Sequence, residues 1–198
     1  MEQMGFDFKG KRVIYFESDA EQANKILLMH GYSFESSVWD RFGFVRFLKS
    51  IGYASFALDV PGFPNSRNKE RMPESAMLDM IEALIKNRIQ KRPVLLGASA
   101  SGHLALKFAE QNANSIKAVI AVGPVGLDSI NLEKINVPML GVWGSEDKIS
   151  DPDDGVSRFE SVGALTAILE GAGHACYLDK PEAFVAKIAE FLKSQANE

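Results

Sequence analysis

Short apolar runs alternate with stretches of helical periodicity along almost the whole chain. Runs rich in aliphatic and β-branched residues predict strands at 12–16, 25–30, 53–60, 92–98, 116–123, 137–144 and 164–171. Apolar residues recur at helical spacing in four further segments, at 36–49, 74–89, 102–111 and 181–194. Nearly continuous apolar strands that alternate with helices predict an α/β fold, with a mostly parallel central sheet and helices on both of its faces.

Polar residues mark the starts of two of these predicted helices. Ser36 or Ser37 can cap the first helix, because a hydroxyl at that position accepts from the free N–H groups of the first turn. Asp179, Pro181 and Glu182 form a pattern typical of a helix start, directly before the last apolar helical segment. Both helices should pack an apolar face on the sheet.

Composition and charge narrow the possible functions. The 198 residues are enough for one well-packed domain, and no linker or internal repeat divides them, so we expect a single domain over 1–198. The net charge of −4 gives no electrostatic reason to expect nucleic acid or an anionic membrane as a partner. The chain starts without a signal-peptide pattern, and its single cysteine, Cys176, has no disulfide partner, so we expect a cytoplasmic location.

The stretch GASASG at 97–102 matches the G-x-S-x-G turn of a catalytic serine, except that Ser101 stands where the second glycine is usual. Ser99 directly follows a predicted strand and precedes a helix, which is the context that this motif requires. Its neighbours are all small, so the chain can turn sharply there. We therefore expect Ser99 to be the nucleophile and Ser101, in the first helical turn, to bond to the backbone.

A nucleophilic serine needs a base, and the base needs an acid that orients it. His174 follows the last predicted strand in a glycine-rich loop, whereas His103 falls within the helix after the serine turn. Asp147 is the first aspartate after the strand 137–144, and the acidic residues at 151–154 are expected to lie in a solvated loop. Each of the three candidate catalytic residues thus follows a predicted strand, in the chain order Ser, Asp, His.

Acyl transfer also requires donors for the oxyanion that forms during the reaction. The backbone N–H of Ala100, next to the expected nucleophile, is one candidate. The second candidate is the N–H of Tyr32, with that of Ser33 as the alternative, in the loop after the strand 25–30. Tyr32 is also a candidate for the apolar lining of the site, together with Phe34, Phe63 and Val125.

With these residues in place, the chain resembles the α/β-hydrolase superfamily over essentially its whole length, and within it the α/β-hydrolase domain-containing fourteen subfamily. The resemblance rests on four stretches, GAGHACYLDKPE at 171–182, HGYSFESSVW at 30–39, LDVPG at 58–62 and the Ser-x-Ser-Gly frame at 99–102. It implies a Ser–His–Asp hydrolase for small acyl groups, including removal of acetyl groups from esters and from lysine side chains. The subfamily opens the serine turn with serine, where this chain has Gly97, so the deacetylase specificity transfers less directly than the fold.

The expected site is open. The segment GPVGLDSINLEKIN at 123–136 is too short for a helical lid domain, so short acyl groups, or an acyl group on a larger molecule, would suit the site. The sequence has no spacing typical of metal ligands and no phosphate-binding glycine motif, so we expect neither a metal nor a cofactor. The leading prediction is an esterase acting on a small-molecule acyl substrate. An amide deacylase or acyltransferase is one alternative, and a non-catalytic interaction protein on the same fold is another.

Overall fold

The computed structural model describes residues 1–19 and 21–196, and a sheet of eight strands forms its centre in the order β1-β2-β4-β3-β5-β6-β7-β8. The strands are β1 Glu2–Phe8, β2 Lys11–Ser18, β3 Asn24–Met29, β4 Tyr53–Leu58, β5 Val94–Ala98, β6 Ala118–Val122, β7 Met139–Gly144 and β8 Leu165–Leu169. β2 pairs antiparallel with β1 and with β4, and the pairs from β4 through β8 are parallel. The predicted mostly parallel sheet is confirmed.

Helices cover both faces of the sheet, as predicted. They are α1 Val38–Arg41, α2 Phe44–Ser50, α3 Glu74–Leu84, α4 Ala100–Asn112, α5 Pro152–Ser161, α6 Cys176–Asp179 and α7 Pro181–Ala196, and a π-helical turn extends α3. One buried cluster packs α3, α4 and α5 on the sheet, and a second packs α1, α2 and α7. Successive side chains of β3 point to opposite faces of the sheet, so Leu27 and Met29 belong to the first cluster while Ile26 and Leu28 belong to the second. None of these helices has the length and apolar character needed to cross a bilayer, within the residues described.

The prediction of one helix over 36–49 is wrong. The chain forms two short helices there, and Gly43 separates them with a φ of 75°, in the left-handed region that glycine adopts without steric cost. Ser37 precedes α1, but its hydroxyl donates to a carboxylate oxygen of Glu35 at 2.9 Å and makes no capping bond to the helix. The apolar face was predicted correctly, because Trp39 and Leu48 are buried.

The sequence patterns missed β1, which forms a hairpin with β2. All of β1 pairs with residues 11–17 of β2 through a tight turn at Lys9 and Gly10, whose φ values are 51° and 77°. Positive φ at both central residues matches the twist of an antiparallel hairpin, and a glycine in a polar turn is the sequence signal for it. The hairpin lies at the edge of the sheet, far along the strand order from β7 and β8.

The acidic stretch expected as a solvated loop instead begins α5. Asp151 caps this helix, because its carboxylate accepts from the backbone N–H groups of Asp153 and Asp154. Pro152 occupies the first helical position, where a missing N–H has no consequence. Phe159 is buried and anchors the helix on the sheet. An aspartate before proline and two further acids is therefore a helix-start signal that sequence reasoning overlooked.

Candidate active site

The turn between β5 and α4 presents Ser99 at the carboxyl edge of the sheet. Its φ and ψ of 56° and −118° lie in a sparsely populated region for a residue with a side chain, a conformation that costs about 1–3 kcal/mol. Ser99 N–H donates to Val122 O at 2.8 Å, which holds the turn against β6. The turn is also tight, since a Cβ atom on Gly97 would lie 2.1 Å from the carbonyl oxygen of Ser101. The strand–turn–helix context predicted for Ser99 is confirmed.

Ser101 is turned away from the cavity beside Ser99. It is fully buried, and its hydroxyl donates to the backbone carbonyl oxygen of His30 at 2.6 Å. The expectation that this second serine bonds to the backbone is confirmed.

The structure brings the three candidate catalytic side chains together. His174 Nε2 lies 2.8 Å from Ser99 Oγ, and His174 Nδ1 lies 2.8 Å from Asp147 Oδ2. A carboxylate oxygen only accepts, so Nδ1 carries the imidazole proton and Nε2 accepts from the serine hydroxyl. The carboxylate of Asp147 is fully buried, whereas the side chain of His174 is 21% exposed. Such an arrangement can move a proton from the serine to the histidine while the aspartate fixes the tautomer.

Asp147 is fixed by the loop that follows β7. Its Oδ1 accepts from the backbone N–H groups of Ile149 at 2.8 Å and Ser150 at 3.0 Å, which leaves Oδ2 for the histidine. The hydroxyl of Ser150 accepts from the indole N–H of Trp143 at 3.0 Å and donates to Pro124 O at 2.7 Å. The loop is thereby tied to β7 and to the segment after β6, so both carboxylate oxygens are held in place.

The loop that carries His174 is fixed by an aspartate to which the sequence assigned a different role. Asp179 Oδ2 accepts from the backbone N–H of Gly173 at 2.8 Å. Asp179 was predicted to begin and cap the last helix, and this prediction is wrong. A short helix, α6, precedes α7, and Asp179 is the last residue of α6. The start of α7 at Pro181 is as predicted.

Gly123, the residue after β6, is part of the site and was not predicted. Its φ is 50°, and a Cβ atom there would lie 3.1 Å from Asp147 Oδ2 and 3.2 Å from His174 Nδ1. A side chain would press on both partners of the Asp–His hydrogen bond. The signal in the sequence was its position, because it ends a predicted strand at the edge where ligands bind in parallel sheets.

A cavity of about 240 Å³ opens beside Ser99 and His174. Its apolar walls come from Tyr32, Phe34, Ile149, Ala175 and Tyr177. Tyr32 and Ile149 are 45% and 66% exposed, which places two large apolar side chains at the mouth. The last three wall residues were not predicted, because they come from loops whose course the strand pattern does not define.

Two of the four residues expected to line the site do not lie on the cavity. Tyr32 and Phe34 line it, as expected. Phe63 is buried behind Tyr32, with the two ring centroids 5.1 Å apart, so it supports the wall without forming it. Val125 does not line the cavity, and its carbonyl oxygen lies 3.2 Å from Nδ1 of His103 in α4.

The candidate oxyanion donors remain available to a ligand. Within the described part of the chain, neither the Ala100 N–H nor the Tyr32 N–H donates to another backbone group. The loop of Tyr32 lies against the serine turn, since a Cβ atom on Gly31 would be 3.7 Å from Ser99 Cβ. The backbones of the two segments therefore approach each other beside the serine, as shared donors to one oxyanion would require.

Cys176 lies two residues after His174, in surroundings that disfavour its thiolate. It is buried, and burial, together with the negative charges of Asp147 and Asp179, raises the pKa of its thiol to about 12. A thiolate is the reactive form, so this side chain acts as a small hydrophobe, as predicted. Within residues 1–19 and 21–196, no group of three or more His, Cys, Asp and Glu side chains is placed to hold a metal ion.

The family model described as "alpha/beta hydrolase fold" matches residues 24–133. ABHD14B of Rattus norvegicus, provisionally named a protein-lysine deacylase, is 30% identical over 185 residues, which cover 86% of this chain and 84% of that protein. ABHD14A of Danio rerio is 31% identical over 172 residues, 85% of this chain. The chain spans only 64% of the length of this second relative.

Solved structures agree with this match. A protein described as a predicted CIB-like hydrolase from Thermoplasma acidophilum superposes with a TM-score of 0.88 at 31% identity, covering 98% of each chain. Est1E from Butyrivibrio proteoclasticus, with bound ferulic acid, superposes with a TM-score of 0.84 at 19% identity, covering 98% of this chain and 100% of Est1E. The second similarity concerns the fold alone.

Proposed function

Because the chain belongs to the α/β-hydrolase family, we propose that it is a serine hydrolase that cleaves small acyl esters. One observation carries the proposal, the hydrogen-bonded chain from Ser99 Oγ through His174 to Asp147, with both links at 2.8 Å. Each of the three follows a different parallel strand, so all three lie at the carboxyl ends of the strands. The strained backbone of Ser99 supports the same role, since such strain is concentrated at functional sites.

The first half of the proposed reaction transfers the acyl group to the protein. Ser99 Oγ attacks the acyl carbonyl carbon while its proton moves to His174 Nε2, and the anionic Asp147 stabilises the imidazolium. The tetrahedral oxyanion accepts hydrogen bonds from the N–H groups of Ala100 and Tyr32. The bond between carbonyl carbon and leaving oxygen then breaks, and that oxygen takes the proton from His174. An alcohol departs and an acyl-serine remains.

The second half returns the protein to its starting state. A water molecule gives a proton to His174 Nε2 as its oxygen attacks the acyl carbon. The new tetrahedral intermediate collapses, Ser99 Oγ takes the proton back from the imidazolium, and a carboxylic acid is released. An acyltransferase would follow the same path with another acceptor in place of water.

The cavity supports a short acyl group. Its volume of about 240 Å³ is small, and Tyr32 and Ile149 stand exposed at its mouth. The connection from β6 to β7 contains two short 3-10 turns, Leu127–Ser129 and Leu132–Lys134, and contributes no residue to the cavity walls. A leaving group can therefore extend into solvent, so an acyl group carried by a larger molecule fits this site as well.

Amide deacylation is the second candidate activity, and the name of the ABHD14B relative favours it. The acyl-enzyme is the same in both reactions, but the leaving amine depends more on protonation by His174 than an alcohol does. A non-catalytic interaction protein is disfavoured, because release from catalysis would remove the reason to keep a strained Ser99 in contact with a histidine.

Hydrolysis of p-nitrophenyl acetate, butyrate and octanoate, beside an acetyl-lysine peptide, tests the proposal. We expect acetate and butyrate esters to be cleaved faster than octanoate, and the Ser99→Ala variant to be inactive. Preference for the peptide over every ester would move amide deacylation ahead of esterase activity. A folded wild-type protein that cleaves neither ester nor amide would favour the non-catalytic alternative.

A further inference from the structure

The LDVPG stretch contains a buried carboxylate that the proposed reaction does not use. Asp59 directly follows β4, and its side chain is fully buried. Its Oδ1 accepts from the backbone N–H of Ser36 at 3.1 Å. Its Oδ2 accepts from the backbone N–H of Arg67 at 2.9 Å and from Arg67 Nη1 at 3.1 Å. One carboxylate therefore joins the loop after β3 to the loop after β4.

Further hydrogen bonds join the same two loops. Arg67 Nη1 also lies 3.0 Å from a carboxylate oxygen of Glu35. Asn65 Nδ2 donates to the carbonyl oxygen of Ser33 at 2.9 Å. The segment 33–36 is thus held at three successive points by residues 59–67, directly after the candidate oxyanion donor at Tyr32.

His30 fixes the other side of this donor. Its Nδ1 donates to the carbonyl oxygen of Gly31 at 2.9 Å, and its Nε2 accepts from the backbone N–H of Val60 at 2.9 Å. The imidazole is fully buried and stands edge-on against Phe63, which in turn packs on Tyr32. Residues 59–67 therefore support the Tyr32 loop before and after the donor.

A buried charge is destabilising unless several hydrogen bonds satisfy it. Burial alone would raise the pKa of Asp59, but hydrogen bonds from Arg67 and Ser36 outweigh that effect and hold the pKa well below its usual range. The group is therefore a carboxylate at neutral pH. Its bond to the Ser36 N–H holds the backbone of the Tyr32 loop, in which a donor must be placed to within about 0.5 Å.

We propose that Asp59 and Arg67 are positioning residues, which hold the Tyr32 N–H where the oxyanion develops. The inference rests on the proposed function, because it assigns these residues to a step of that reaction. Loss of one oxyanion donor typically lowers kcat about a hundredfold to a thousandfold. A displaced donor should lower kcat by less, about tenfold to a hundredfold. KM should stay nearly unchanged, because the donor bonds more strongly to the oxyanion than to the carbonyl of the bound substrate.

The test compares Asp59→Asn and Arg67→Gln with a matched control, Arg92→Gln. The guanidinium of Arg92 also bonds to loop backbone, with Nε and Nη2 at 2.9 and 2.6 Å from Ile116 O. Arg92 precedes β5, however, so it lies at the amino-terminal ends of the parallel strands, away from the site. Turnover of p-nitrophenyl acetate is measured per active site, with sites counted by fluorophosphonate titration of the serine. We expect kcat per site to fall about tenfold to a hundredfold in both test variants with KM within threefold, and not to fall in the control.

Two results would overturn the inference. In the first, both test variants keep the wild-type kcat per site. In the second, activity falls only because fewer sites titrate, which would mean that the residues stabilise the fold without affecting the step. Should Asp59→Asn fail to fold, Arg67→Gln decides, and Arg67→Lys, which keeps the cation, should recover part of the lost kcat. A wild-type protein that neither titrates nor turns over would refute the proposed function itself, a distinct outcome.

Discussion

The hydroxyl of Ser101 donates a hydrogen bond of 2.6 Å to the backbone carbonyl oxygen of His30. Ser101 lies in the first turn of α4, and His30 directly follows β3, so this bond ties the helix behind the nucleophile to the loop that carries the Tyr32 N–H. The serine that replaces the usual glycine of the motif therefore joins the two halves of the candidate oxyanion site. Its side chain does not line the cavity beside Ser99.

The two serines should respond differently to removal of the hydroxyl. Ser99→Ala removes the proposed nucleophile, so kcat for p-nitrophenyl acetate should fall on the order of 10⁴-fold or more with stability unchanged or improved. Ser101→Ala leaves the His30 carbonyl without its partner, which should lower the free energy of unfolding by about 1–3 kcal/mol while activity persists. Urea denaturation and steady-state kinetics measure both effects. A folded but inactive Ser101→Ala protein would contradict the assignment of Ser99.

Gly123→Ala should damage the site more than the fold. The left-handed φ of 50° costs a residue with a Cβ about 1–2 kcal/mol, and the new methyl group would also press on Asp147 Oδ2 and the His174 ring. Gly163→Ala is the matched control, since its φ is 74° and nothing lies within 4 Å of the added Cβ. Both variants should lose similar stability in urea, but only Gly123→Ala should lose kcat, by about tenfold or more. Equal kcat in both would show that the Asp–His pair has room to adjust.

Sequence reasoning succeeded where strand order and strand ends determine which residues meet. Ser99, Asp147 and His174 each follow a parallel strand, and the carboxyl ends of such strands meet at one edge, so chain order and strand ends were enough to bring them together. Sequence reasoning failed where the conformation of a loop determines which side chains line the cavity. Nothing in the strand pattern distinguishes Phe34, which lines the cavity, from Phe63, which lies behind Tyr32, because both follow strands in glycine-containing loops.

Ile149 should contribute to substrate binding through its exposed position at the cavity mouth. Its side chain is 66% exposed in the free protein, so an acyl or leaving group that covers it would bury apolar surface. Ile149→Ala should lower kcat/KM for butyrate esters on the order of threefold to tenfold and for acetate by less. Leu165→Ala removes a similarly exposed apolar residue, 57% exposed on β8, and should have no effect on either ester. A comparable loss in both variants would point to a general effect on the protein.

Cys176 should be unreactive in the native state despite its place near His174. Burial and the charges of Asp147 and Asp179 raise its thiol pKa to about 12, so almost no thiolate exists at pH 8. We expect a thiol-specific disulfide reagent to modify it only after denaturation, and Cys176→Ala to retain wild-type kcat. Rapid modification of the native protein at pH 8, or loss of turnover without unfolding in the variant, would contradict this assignment.

Asp59 should make the fold sensitive to acid. Its pKa is lowered in the native state, so the unfolded chain takes up a proton near the ordinary value of 3.8 while the native carboxylate does not. The resulting stabilisation is fully present above that value, and it is lost as the pH falls below it through the native pKa. Asp59→Asn should therefore be less stable than the wild type at pH 7, and the gap should narrow between pH 4 and pH 3. Urea denaturation at these three pH values measures the gap. The control is Asp153→Asn, which changes an exposed carboxylate, and its free energy of unfolding should stay within about 0.5 kcal/mol of the wild type throughout. A gap between Asp59→Asn and the wild type that stays constant down to pH 3 would show that the native carboxyl titrates like the unfolded one.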